Sequence, residues 1–117
     1  MASPPPTIRK RADFLAANRG RRVVTPGFIL LVNLRGDDDP TMRAGFTVTK
    51  KIGNSVVRNR LKRRLREVVR HGLADGVPGA DHVLIGREAG LARPFDQLQA
   101  DFARALARAA VATDRIA

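Results

Sequence analysis

The chain has 117 residues, no cysteine and a formal net charge of +11, with an isoelectric point near 11.7. That length allows one domain with a modest core, and the missing cysteines exclude disulfides and thiolate metal sites. No apolar run reaches membrane-spanning length and Met1-Ala2-Ser3-Pro4-Pro5-Pro6 lacks the apolar core of a signal peptide, so a soluble, cytoplasmic protein is expected.

In chain order, residues 1–7 read as a disordered or extended leader, because three consecutive prolines block helix and ladder alike. Residues 8–117 read as the folded domain. A short helix is expected over about 10–18, stopping near Gly20. Val23-Val24 is a candidate strand ending at Pro26, and Phe28-Ile29-Leu30-Leu31-Val32 a strongly apolar one. Gly36-Asp37-Asp38-Asp39-Pro40 has loop composition. The three aspartates invite a metal reading, but a flexible acidic hairpin tip fits better, since no further ligands sit at a site-like spacing. Residues 44–49 alternate in part, with Phe46 and Val48 on one face and Thr47 and Thr49 on the other.

A helix follows with one apolar and one cationic side. Val57, Leu61, Leu65 and Val68 recur at steps of four, four and three, with Val69 beside them. Ser55 is the expected N-cap and Gly72 the expected stop. Arg58, Arg60, Lys62, Arg63, Arg64, Arg66 and Arg70 fall off the apolar stripe, with Glu67 as the lone anion among them. Such a helix repels itself unless its apolar side docks on a sheet or a polyanion binds it. Residues 42–70 carry +9 of the chain's +11. A charge concentrated in this way points to phosphate contacts. A solvated helix face would mix its signs, and a membrane-surface helix would carry aromatic anchors that this one lacks.

Beyond it, residues 76–80 read as a turn, His82-Val83-Leu84-Ile85 as a fourth strand, and about 95–112 as a final helix with Leu98, Phe102, Leu106 and Ala109 on one side. Phe28, Phe46, Phe95 and Phe102 are expected in the core; Phe14 suits core packing and ligand contact equally. The order α-β-β-β-α-β-α places the chain in the α+β class. His71 and His82 are isolated in sequence. No Ser/His/Asp set, carboxylate pair or Gly-rich phosphate loop stands out, so the chain does not read as a catalyst in its own right.

The segment Thr47-Val48-Thr49-Lys50-Lys51-Ile52-Gly53-Asn54-Ser55-Val56-Val57-Arg58-Asn59-Arg60-Leu61-Lys62-Arg63-Arg64-Leu65-Arg66-Glu67 closely resembles the signature of the protein subunit of bacterial ribonuclease P. Supporting matches are Asp13-Phe14, the strand beginning at Phe28, and Asp81 leading into Val83-Leu84-Ile85. The resemblance implies a four-stranded sheet of the ribosomal protein S5 domain 2-like kind, with a left-handed βαβ crossover where chain physics alone favours a right-handed one. It implies a non-catalytic protein cofactor of a large catalytic RNA. That holoenzyme, an endoribonuclease, removes the 5′ leader of precursor tRNA by hydrolysis assisted by Mg²⁺, which the RNA chiefly holds. The implied partners are ribonuclease P RNA and precursor tRNA, with no membrane and no protein partner required.

Carried onto this sequence, the resemblance implies RNA binding by Arg58, Asn59, Arg60, Lys62, Arg63 and Arg66, with Lys51 beside them. It implies a cleft for the single-stranded leader at Phe14, Leu31 and Thr47. Cleft positions that are often aromatic in relatives are Leu31 and Asn18 here. Stacking on aromatics contributes about 1–3 kcal/mol per base, so a weaker, more electrostatic grip on the leader is expected. The alternative is a general basic RNA-binding or ribosome-associated protein with no catalytic partner.

Overall fold

The computed structural model describes residues 5–116, with side chains described as far as residue 110. Its elements are α1 (Arg11–Ala17), β1 (Arg21–Val24), β2 (Phe28–Leu34), β3 (Arg43–Thr47), α2 (Ser55–Gly72), β4 (Ala80–Gly86) and α3 (Phe95–Ile116). Short 3-10 turns flank α2 and precede α3. The four strands form one sheet in the order β1-β2-β4-β3. β1–β2 and β2–β4 are antiparallel, and β3–β4 is parallel. A parallel pair needs a long crossover, and α2 supplies it.

The expected α-β-β-β-α-β-α order therefore holds. The acidic stretch 37–39 is not a hairpin tip, because β4 lies between the two strands it joins. Nor is it loose: Arg35 donates to Asp37 and to the carbonyls of Asp39 and Thr41. Most of the leader lies outside the described residues. Its end is extended, with Thr7 bridging to Ala44 and the Pro6 carbonyl accepting the Ala44 N–H at 3.0 Å.

Both sheet faces are used, which is why β2 reads as an unbroken apolar run. Phe28, Leu30 and Val32 point to the α2/α3 side, where Leu61, Leu65, Val68, Val69, Leu98, Phe102 and Leu106 complete the main core. Phe28 meets Phe102 edge to face, with ring centres 6.1 Å apart. Leu31 points the other way and joins Ile8, Ala17 and Val83 in a smaller cluster under α1. The apolar stripes expected on both long helices are thus the buried ones, except that Val57 at the start of α2 is only half-buried. Phe95 is not core; it is exposed and packs its ring against His71 on the surface.

Candidate RNA-binding surface and cleft

The entry to α2 is built by Gly53 and Asn54. Gly53 holds φ at 154°, a conformation that side chains rarely adopt. The Asn54 side chain then accepts the Val57 N–H at 3.0 Å. Asn54, not Ser55, is the N-cap, and Ser55 is the first helical residue. Asparagine and serine cap equally well, so the sequence offered both; the backbone turn at Gly53 decides between them. Gly72 closes the helix without a left-handed backbone, and Leu73 caps it.

With Leu61, Leu65, Val68 and Val69 buried against the sheet, the opposite side of α2 is left to solvent. Asn59, Arg63, Arg66 and Arg70 lie along it at steps of four, three and four, all exposed. They span about 16 Å of helix. Arg60 is exposed on one flank, while Lys62 and Arg58 are half-buried on the other. The Arg58 Nε also donates to the Gly53 carbonyl at 3.2 Å, so part of its guanidinium braces the turn. Lys50 and Lys51 are exposed just before the helix N-terminus, whose free N–H groups themselves favour an anion. One arginine is set apart: Arg64 donates to the carbonyls of Gly90 and Arg93 and ties α2 to the turn before α3.

On the other sheet face, α1 leaves an open cleft of about 530 Å³. Phe14, Leu31 and Thr47 all line it, as does Asn18. Phe14 both packs on the sheet and lines the cleft. Its ring sits on Gly45, where an added Cβ would lie 2.8 Å from the ring edge, and it still faces the cleft. Leu31 is almost fully buried and forms the floor with Val83 and Ile85. Arg9, Arg11, Phe46 and Thr49 also line the cleft. None of these four was assigned to it from the sequence. Phe46 was expected in the core; on edge strand β3 it is only partly buried, and the Arg66 guanidinium lies 5.9 Å from its ring centre. That contact joins the cationic side of α2 to the cleft wall. The alternation of Thr47 and Thr49 on one face was the available signal for Thr49; for Arg9 and Arg11, which precede and open α1, there was none.

Among the described residues, no group of three or more His, Cys, Asp or Glu side chains is placed to hold a metal ion. Asp37 and Asp39 are engaged by Arg35 and Thr41. No helix is long and apolar enough to cross a membrane.

A four-stranded mixed sheet carrying a cationic crossover helix on one face and an open cleft on the other defines a small α+β domain with two distinct exposed surfaces. Comparison with known proteins narrows the class. The family model described as Ribonuclease P matches residues 4–110. The ribonuclease P protein component of Erythrobacter litoralis is 54% identical over 114 residues, covering 93% of this chain and 89% of that one. That of Gluconacetobacter diazotrophicus is 51% identical, covering 89% and 90%. Among solved structures, the RNase P protein of Staphylococcus aureus matches with a TM-score of 0.73 at 29% identity, covering 88% of this chain and 94% of that one. The Thermotoga maritima protein matches with 0.73 and 29%, covering 87% and 96%. The chain belongs to the bacterial ribonuclease P protein family: it is the protein component of a tRNA-processing ribonucleoprotein endonuclease.

Proposed function

We propose that the exposed side of α2 binds the catalytic RNA of ribonuclease P, and that the cleft beside α1 binds the single-stranded 5′ leader of precursor tRNA. The observation that carries this reading is the division of the molecule into two different surfaces. One is a helix whose solvent side offers guanidinium groups suited to bidentate phosphate contact. The other is a mostly apolar trough with cations at its rim, which suits unstacked bases and their phosphates.

On α2, Arg60, Arg63 and Arg66 contact phosphates and Asn59 supplies a neutral donor and acceptor between them. Arg58, Lys62 and Lys51 extend the contact around the helix N-terminus. In the cleft, Phe14 and Phe46 offer ring faces, Leu31 an apolar floor and Thr47 a hydroxyl. Arg9 and Arg11 give the electrostatic grip expected of a cleft poor in aromatics. Mg²⁺ would be held chiefly by the RNA and would supply the hydrolytic chemistry there, with this chain's cations contributing charge neutralisation. The protein raises local affinity for substrate and lowers the Mg²⁺ needed, because its cations take over part of the charge neutralisation.

The test is cleavage of a leader-bearing precursor tRNA at low Mg²⁺ by a bacterial ribonuclease P RNA, with and without this protein. Strong stimulation at the mature 5′ end is expected. Absence of stimulation by folded, RNA-bound protein would overturn the reading. Equal affinity for many unrelated folded RNAs would replace it with general RNA binding.

A further inference from the structure

The wall of the cleft is a helix of only seven residues, Arg11–Ala17, with no side-chain N-cap. So short a helix does not hold itself in place. Ala17 buries its methyl and the preceding Ile8 is buried too. The chain before α1 is tied by the Ile8 N–H to the Ala44 carbonyl at 2.8 Å. These contacts fix where α1 begins and what lies beneath it. The Phe14 ring seated on Gly45 adds a close apolar contact with the sheet.

A chain of charges on the side away from the cleft adds a contact that has direction. Asp81, 3% exposed, receives Arg43 through two hydrogen bonds of 2.7 and 2.6 Å. It also receives Arg35 at 3.0 Å. Arg43 and Asp81 are opposite each other on the parallel pair β3–β4, so the two side chains meet across the pair. From there the Arg43 Nη2 reaches Asp13 of α1 at 3.5 Å. Among the described residues, no other side-chain hydrogen bond or ion pair joins α1 to the sheet. Asp13 immediately precedes Phe14 and faces the hollow that Arg43, Arg35 and Asp81 line. Phe14, one helical step of 100° round, faces the leader cleft.

We infer that Asp13 is a positioning residue. Its contact with an Arg43 clamped by buried Asp81 sets the roll of α1, and so the aim of the Phe14 ring and the width of the cleft. The inference rests on the leader-cleft reading above and adds to it a residue that touches no nucleotide. Asp81 and Arg43 are poor places to test it, because losing either disturbs the sheet itself. Asp13 is half-exposed and can be changed without loss of core packing.

The experiment compares wild type with Asp13→Asn and Asp13→Glu in the holoenzyme reconstituted with ribonuclease P RNA. Affinities for leader-bearing precursor tRNA and for mature tRNA are measured side by side. Asp13→Asn is expected to weaken leader-bearing substrate by about two- to fivefold, the range of a partly exposed ion pair. Mature tRNA and ribonuclease P RNA should bind as before, and Asp13→Glu should restore most of the loss. A second readout needs no substrate. In protein labelled with fluorophenylalanine, the Phe14 resonance, assigned by Phe14→Leu, should move in Asp13→Asn while those of Phe28 and Phe102 stay. An unmoved Phe14 resonance, or equal weakening of both tRNAs, overturns the inference. A wild-type holoenzyme that does not distinguish leader-bearing from mature tRNA would instead sink the leader-cleft reading, and the resonance alone would then judge the placement of α1.

Discussion

Replacing Asp81 by asparagine keeps the shape of the side chain and removes its charge. The carboxylate is 3% exposed and accepts three charge-assisted hydrogen bonds, two from Arg43 and one from Arg35. Those arginines are themselves 28% and 11% exposed. The amide would turn an N–H₂ toward one of them and leave two guanidinium groups facing each other. Breaking a buried pair by removing one partner costs about 3–5 kcal/mol, out of a total stability of about 5–15 kcal/mol for a domain. The urea midpoint should therefore fall by about 2 M. The effect should also carry a pH signature. Burial alone would raise the Asp81 carboxyl, but hydrogen bonds from Arg43 and Arg35 outweigh it and hold the group below the usual carboxylate range. A carboxyl lowered in the folded state contributes stability that is complete above its unfolded pKa. That stability is lost as pH falls through the folded pKa. The gap between wild type and Asp81→Asn should thus be constant from pH 7 to 5 and shrink below about pH 4. Urea titrations followed by circular dichroism at several pH values measure both. A loss under about 1 kcal/mol, or a gap that does not narrow in acid, would refute the reasoning.

Arg63→Ala should leave the fold intact and reduce the salt slope of RNA binding by about one phosphate contact. Arg64→Ala should do the reverse, destabilising the domain by about 1.5–3 kcal/mol without changing the slope, because its guanidinium is spent on the carbonyls of Gly90 and Arg93. Anisotropy titrations across a potassium chloride series, paired with thermal melts, separate the two. His82 is fully buried, accepts the Val77 N–H at Nε2 and so presents its protonated Nδ1 to the Arg43 carbonyl. Burial lowers its pKa, so the unfolded chain takes up a proton first and stability should decline as pH falls below about 6.5. On a His71→Gln background, which removes the exposed imidazole, a further His82→Gln change should abolish that slope between pH 7 and 5.5; a slope that survives would assign it elsewhere.

The long helices were legible because periodicity is a local property: Leu61, Leu65 and Val68, or Leu98, Phe102 and Leu106, state their buried side by spacing alone. Strand existence was equally plain, while strand ends moved by one or two residues, as ladder pairing sets them and spacing does not. Phe46 packs on the main core only in part and Phe95 stands outside it, for one reason. Hydrophobicity says that a ring gains by burial, but an edge strand and the start of a helix leave only part of a ring anything to pack against. Arg64 shows the same limit on the cationic side, since nothing in a run of arginines marks the one that meets backbone carbonyls about 26 residues on.

What the sequence determined by itself was the chemistry: a single cysteine-free domain, a concentrated positive charge, an amphipathic cationic helix and a signature long enough to identify the family. These follow from composition and short-range spacing. Only the tertiary structure decided which cations face solvent, that Asn54 caps the helix, and that Phe14, Leu31 and Thr47 share one cleft with Arg9, Arg11 and Phe46. It alone brought Asp13, Arg43 and Asp81 into contact. Those residues are far apart in the chain, and the parallel pairing of β3 with β4 across α2 makes them neighbours.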